Sequence, residues 1–293
     1  MEERHISRTL VDSKVRKIFG CFVFCFIICS SVFAATADTV STYSAAMQKK
    51  IKAVVITPDA YPGSGALPVL YLLHGWSGNY ADWVTNDPEI EDLSDLYRVI
   101  IVCPDGGYDS WYFDSKTDTS CKYETYVSHE LIAYIDKNYK TVANRAGRAV
   151  TGLSMGGHGA LYLAFRHQDV FGAAGSMSGG VDFRPFPDNW GLKARLGREA
   201  DNQKDWEENT VINLVHLLRG NHLPLIFDCG TEDFFYPGNK ALHEKLLYYN
   251  IPHDFISRPG NHNWDYWINS IRYQIVFFSD FFKQAKSNRS GDV

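Results

Sequence analysis

The sequence predicts an α/β fold: a mostly parallel central sheet with helices on both faces. Two observations carry that reading. Short apolar segments rich in β-branched residues alternate with longer segments of helical periodicity, and most of the short ones are bounded by Gly, Pro or Asp. No internal repeat or low-complexity linker breaks the series, so one domain is expected from about residue 38 to 293. At 293 residues, 45% hydrophobic and 22% charged, the chain is long enough to bury one large core.

Residues 1–37 are expected to stand outside that domain. Arg4, Arg8, Lys14, Arg16 and Lys17 precede the apolar run Ile18 to Cys29, and small residues follow as far as Ala34-Ala35-Thr36-Ala37. A basic start, a short apolar stretch and an Ala-rich end make a secretory signal peptide, with cleavage after Ala34 or Ala37. The apolar run is shorter than the roughly 20 residues that span a bilayer. No stable membrane anchor is therefore expected after cleavage, and the mature protein is expected to be secreted or periplasmic. Cleavage after Ala37 removes five Lys/Arg and three Asp/Glu, which moves the formal charge from −5 to −7. A mildly acidic protein has no electrostatic basis for binding nucleic acid.

The strands are expected at Ile51–Thr57, Val69–Leu73, Val99–Val102, Ala149–Thr151, Ala173–Met177, Leu225–Asp228 and Asp254–Ser257. Helices are expected over Tyr123–Asn138, Met155–Arg166, Asn239–Tyr249 and Tyr266–Gln284. In the first, Tyr126, Leu131, Ile132, Tyr134 and Ile135 recur at roughly helical spacing. The segment Gly179–Leu223 breaks the alternation, with Pro185, Pro187, Trp190, Trp206, many charges and one helical piece near Val211–Leu218. An irregular insertion after a strand is expected to lie over the active site as a partial lid. Three cysteines remain after the leader, so at most one intramolecular disulfide can form, and Cys103 with Cys121 is the first pair to test. No C-x-x-C or H-E-x-x-H spacing points to a metal, and no cofactor is expected.

The chemistry gathers around Gly152-Leu153-Ser154-Met155-Gly156, which follows the apolar Ala149-Val150 and opens a helix. A serine between two glycines at a strand-to-helix junction is the pattern of a nucleophile elbow, where the turn is sharp and the backbone behind it must lack side chains. A serine hydroxyl is a poor nucleophile at neutral pH. It needs a histidine to take its proton and a carboxylate to orient that histidine. On such a sheet the acid and then the histidine follow in loops after later strands. Asp233, just past Leu225–Asp228, fits the acid; Glu232 beside it is the rival, and Asp228 sits too far back in the strand. His262, between the last strand and the last helix, fits the base, whereas His253 precedes that strand. The expected oxyanion donors are the backbone N–H groups of Met155, at the helix start, and of Trp76, in the turn His74-Gly75-Trp76-Ser77-Gly78. His74 and His158 are read as structural. Trp76, Trp111, Tyr112, Phe234, Tyr236 and Trp264 are expected on loops around the mouth, with Trp111, Tyr112, Phe234 and Trp264 as candidate substrate contacts.

Ser154-Met155-Gly156-Gly157-His158-Gly159-Ala160-Leu161, with Leu72-Leu73-His74-Gly75 upstream, resembles the esterase D-like branch of the α/β-hydrolases. That branch holds tributyrin esterases, S-formylglutathione hydrolases, feruloyl and acetylxylan esterases and mycolyltransferases. Ser110-Trp111-Tyr112 with Asp114-Ser115, Tyr123-Glu124 through Asp136, and the Gly260–Trp267 segment extend the likeness over about residues 50–283. The resemblance implies an α/β-hydrolase fold and a Ser154–Asp233–His262 triad, agreeing with the positions reached from strand order. The expected activity is that of a secreted serine carboxylesterase on short-chain or aromatic acyl esters, free or attached to polysaccharide. An acyltransferase, a general tributyrin-type esterase and a non-catalytic binding protein are the alternatives. The insertion matches no one branch, so substrate choice rests there.

Overall fold

The computed structural model describes residues 35–59, 61–218, 220 and 222–290. Eight strands form one sheet: β1 Thr36–Ser44, β2 Lys49–Thr57, β3 Val69–Leu73, β4 Ile100–Pro104, β5 Arg148–Gly152, β6 Ala173–Met177, β7 Leu225–Gly230 and β8 Asp254–Arg258. Their spatial order is β1-β2-β4-β3-β5-β6-β7-β8. β1 and β2 pair antiparallel, as do β2 and β4, and every pairing from β4 through β3 to β8 is parallel.

That order fixes where a site can form. The chain runs from β3 outward to β4 on one side, then returns to place β5 on the other side of β3. The reversal leaves a crevice beyond the C-terminal ends of β3 and β5, where ligands bind in open parallel sheets. The elbow follows β5, and Gly75-Trp76 follows β3.

Nine α-helices are assigned among the described residues: α1 Asp82–Asn86, α2 Ile90–Tyr97, α3 Tyr123–Thr125, α4 Ile132–Asn138, α5 Met155–Arg166, α6 Leu192–Leu196, α7 Gln203–Asn209, α8 Tyr236–Tyr248 and α9 Trp264–Ser290. A π-helical stretch, Tyr126–Leu131, joins α3 to α4, so the helix read over Tyr123–Asn138 is present with an altered middle. No helix among the described residues is long and apolar enough to cross a membrane.

Side chains of a strand point alternately to its two faces, and β3 shows how this divides the core. Val69, Tyr71 and Leu73 join a cluster with α5, the insertion and α8; Leu70 and Leu72 join one with Trp83, Ile90 and the α9 residues Ile271, Ile275 and Phe278. The cysteine expectation fails on the same alternation. Cys103 of β4 packs in the second cluster and Cys121 in the first, so the sheet stands between them. Both thiols and that of Cys229 are free and buried.

β3, β6 and α5 have the boundaries read from the sequence, and the other expected elements are present with shifted ends. β1 is the strand that the reading left out. Its sequence, TADTVSTYS, is polar and mostly exposed because it forms the outer edge of the sheet and buries little on either face. Residues 1–34 of the expected leader lie outside the described residues; its last residues, Thr36 and Ala37, begin β1.

The insertion is rooted in the core. Val181, Phe183, Leu192, Leu196, Trp206, Val211 and Val215 are buried in the same cluster as Leu161 and Phe165 of α5. The helical piece near Val211–Leu218 is a 3₁₀ helix.

Candidate active site

Ser154 has φ 55° and ψ −116°, a conformation that a serine seldom adopts. The turn is held by hydrogen bonds from Ser154 N–H to the Met177 carbonyl, 2.9 Å, and from Gly156 N–H to the Leu153 carbonyl, 2.7 Å. A Cβ on Gly156 would stand 2.5 Å from the His74 carbonyl oxygen and 2.6 Å from that of Leu73. Only a glycine lets α5 start this close to the end of β3.

The loops after β7 and β8 meet backbone to backbone. Thr231 N–H donates to the Arg258 carbonyl at 2.9 Å, and Glu232 N–H to that of Gly260 at 3.1 Å. A Cβ on Gly230 would fall 2.2 Å from the Gly260 oxygen, so a side chain there would hold the two loops apart. This contact brings Asp233 and His262 together.

The His262 Nδ1–H donates to Asp233 Oδ2 at 2.8 Å, and Ser154 Oγ donates to His262 Nε2 at 2.8 Å. The carboxylate can only accept at Nδ1, so Nε2 is the unprotonated nitrogen that faces the hydroxyl. Asp233 is buried, and its other oxygen accepts from Phe235 N–H at 2.8 Å. Both oxygens are thereby fixed, and the imidazole is held in the orientation a general base requires.

The rival groups are engaged elsewhere. Glu232 accepts from Asn261 Nδ2 at 3.1 Å on the surface. Asp228 is fully buried and accepts from Ser270 Oγ, 2.5 Å, and Gln274 Nε2, 2.7 Å; burial pushes its carboxyl up. His253 pairs with His243 at 2.7 Å. His158 lies in the core, stacked on Tyr162 with its Nε2 against the Asn209 carbonyl at 2.9 Å, and burial pushes its pKa down to about 4. His74 is also buried: its Nδ1–H donates to the Gly75 carbonyl and its Nε2 accepts from Gly106 N–H, both at 2.7 Å. Burial lowers its pKa, so it stays neutral and ties the Gly75-Trp76 turn to the loop after β4.

Ser154 and His262 open on a cleft of about 470 Å³ lined by Trp76, Asp82, Trp190, Phe234, Trp264 and Trp267, among others. A larger groove, about 800 Å³, runs beside β8 and α9, but no serine, cysteine or histidine lines it. Trp76 and Phe234 are partly exposed at the mouth, and Trp264 stands edge-on to Trp83. The Met155 side chain is buried, but its amide opens α5, where a helix leaves its N–H groups without partners inside the helix.

Trp111 and Tyr112 do not reach the cleft. They are 1% and 0% exposed, and they pack behind it because the chain there turns inward through two left-handed residues, φ 51° and 61°. Tyr112 OH donates to the His74 carbonyl at 3.1 Å, and Trp111 Nε1–H to that of Trp190 at 3.0 Å. Tyr236 opens α8 and bonds Ser257 at 3.0 Å, away from the lining residues. The reading named Trp190 only as part of the insertion and Trp267 only as the end of the Gly260–Trp267 segment, gave neither a place in the cleft, and did not name Asp82.

The sequence model of the family described as "Putative esterase" matches residues 44–277, which contain all three residues of the constellation. The chain belongs to the esterase family. An esterase of Mycobacterium tuberculosis is 32% identical over 238 residues, covering 71% of this chain and 51% of that relative, so the chain spans about half the relative's length. An acetyl esterase of Caldicellulosiruptor saccharolyticus is 25% identical over 78% of this chain and 92% of its own. Among solved structures, a ferulic acid esterase superposes with a TM-score of 0.75 and 27% identity over 85% of this chain and 99% of its own. An S-formylglutathione hydrolase of Staphylococcus aureus, TM-score 0.74, is 21% identical over 84% of this chain and 99% of its own, a likeness of fold. These neighbours agree with the α/β-hydrolase fold that the resemblance implied.

Proposed function

We propose that this esterase-family protein is a secreted serine carboxylesterase that works through an acyl-enzyme. The observation that carries the reading is the unbroken chain of two 2.8 Å hydrogen bonds from Ser154 through His262 to Asp233. Ser154 Oγ attacks the ester carbonyl carbon while its proton passes to His262 Nε2. The carbonyl oxygen becomes an oxyanion, stabilised by the N–H groups of Trp76 and Met155; losing one such donor typically costs ~10²–10³ in rate. The intermediate collapses, the bond to the alcohol oxygen breaks, and His262 gives that oxygen the proton. Water then attacks the acyl-serine with His262 again as base, releasing the acid and restoring Ser154. No step requires a cofactor. Export is supported by the basic, apolar and Ala-rich character of residues 1–37.

The substrate class that fits is an acetyl- or feruloyl-type ester carried on plant polysaccharide. Two findings support it: the aromatic lining of the cleft, and the likeness to proteins named acetyl esterase and ferulic acid esterase. The test is Ser154→Ala, assayed on p-nitrophenyl acetate and on acetylated and feruloylated xylan beside tributyrin. The variant should fold normally and lose about 10⁶ in kcat, the scale for a serine nucleophile. Wild-type release of acetate or ferulate from xylan supports the substrate class. Turnover of tributyrin with none of any polysaccharide ester would overturn it.

A further inference from the structure

We propose that Trp190, carried into the cleft by the insertion after β6, recognises the alcohol half of the ester, and that this alcohol is a sugar ring. The proposal rests on the carboxylesterase reading and names the part of the substrate that the insertion reads.

The first argument is placement. The Trp190 ring lies parallel to that of Phe234, 18° between planes and 5.5 Å between centroids, and Phe234 sits 4.4 Å from the His262 ring. Phe186 and Phe235 back Trp190 at 5.2 and 5.1 Å. In the collapse step the departing oxygen must lie at His262 Nε2 to take its proton. The group attached to that oxygen therefore emerges against the rings that flank His262. These are Phe234, Phe235 and Trp267, and on the insertion side Trp190 stacks on the first of them.

The second argument is backbone strain. Trp190 has φ 49°, in the left-handed region that a bulky residue avoids, and Gly191 follows at φ 73°. A Cβ on Gly191 would fall 2.2 Å from Asp109 Oδ2, so the chain passes hard against the loop carrying Asp109 and Trp111. The Trp111 indole then fixes the Trp190 carbonyl. A strained conformation held by several neighbours fixes where the Trp190 ring stands, so its place beside Phe234 is imposed by the fold.

The third argument is chemical complementarity. A broad, rigid aromatic face suits the apolar face of a pyranose, and a sugar also brings hydroxyl groups that need acceptors. Asp82 lines the same cleft. One of its oxygens accepts from Asn79 Nδ2 at 2.8 Å, and no ion pair among the described residues engages it. It is placed to accept from a sugar hydroxyl. A simple alkyl alcohol would use neither group.

The experiment compares wild type, Trp190→Ala and Trp190→Phe on two esters of the same acid, monoacetylated xylobiose and ethyl acetate. Binding of unmodified xylobiose is measured by calorimetry in parallel. Trp190→Ala should lose about tenfold more in kcat/KM on the sugar ester than on ethyl acetate, mostly through KM. Trp190→Phe should recover much of the loss, and xylobiose binding should weaken in Trp190→Ala. Equal losses on both esters, no loss on the sugar ester, or no xylobiose binding by the wild type would each overturn the proposal. Trp190-dependent xylobiose binding without hydrolysis of any ester would instead uphold sugar recognition and defeat the carboxylesterase reading.

Discussion

The buried indole of Trp111 donates its Nε1–H to the main-chain carbonyl of Trp190 at 3.0 Å. One tryptophan is thereby held in the cleft by another that never reaches it. Trp111→Phe keeps most of the packing and removes the donor. The expected cost is about 1 kcal/mol of stability, with a raised KM for a sugar ester and an unchanged kcat for ethyl acetate. Chemical unfolding and steady-state kinetics on both esters check it.

Gly156 lies in the first turn of α5, where alanine is favoured over glycine by about 1 kcal/mol on propensity alone. The contact with the His74 carbonyl reverses the sign. Gly156→Ala should destabilise by about 1–3 kcal/mol, the range for overpacking. It should also lower kcat on p-nitrophenyl acetate, because the displaced turn carries the Trp76 amide. A melting temperature at or above wild type would contradict this account.

Asp233→Asn should lower kcat by about 10⁴-fold by favouring the wrong imidazole tautomer, while Glu232→Gln stays within about twofold of wild type. The pair of variants, assayed side by side, separates the buried carboxylate from its surface neighbour.

Glu124 accepts from Arg166 Nε, His167 Nε2 and Tyr162 OH at 2.7, 2.9 and 2.8 Å. Burial raises its pKa, but the His167 and Arg166 bonds outweigh it, and the value falls from 4.5 to about 2. A depressed carboxylate stabilises the fold at pH values above the unfolded pKa and loses that contribution as pH falls through the folded one. The shift corresponds to about 3 kcal/mol, present above pH ~4.5 and lost between there and pH ~2. Urea unfolding at several pH values should show Glu124→Gln less stable at pH 7, with the gap closing in acid.

Cys103, Cys121 and Cys229 are buried, and burial pushes all three thiols up. In the folded protein they should resist a thiol reagent and become reactive together on unfolding. A reductant should leave the melting temperature unchanged.

The parts legible in the sequence are those governed by local rules. The elbow needs two glycines and a serine at one junction, and parallel strand order then dictates which loops can hold Asp233 and His262. β1 was hidden because an edge strand buries too little to impose a periodic pattern. Trp111 and Tyr112 looked like mouth residues because they sit in an aromatic loop; their two left-handed residues, which turn them inward, leave no mark in composition. Trp190 was equally hidden, since its position depends on Trp111 and Phe234, which are distant in sequence.

The insertion after β6 ties recognition to folding. Phe183, Leu192, Leu196, Trp206 and Val215 sit in the core with α5, so the segment that carries Trp190 cannot be exchanged as a detachable module. New substrate preferences would have to arise by point changes at its tip, around Phe186 and Trp190, while the buried remainder stays constant. Changes that alter specificity and changes that alter folding therefore fall on adjacent residues of one loop, and drift in specificity should be narrower here than on a free-standing flap.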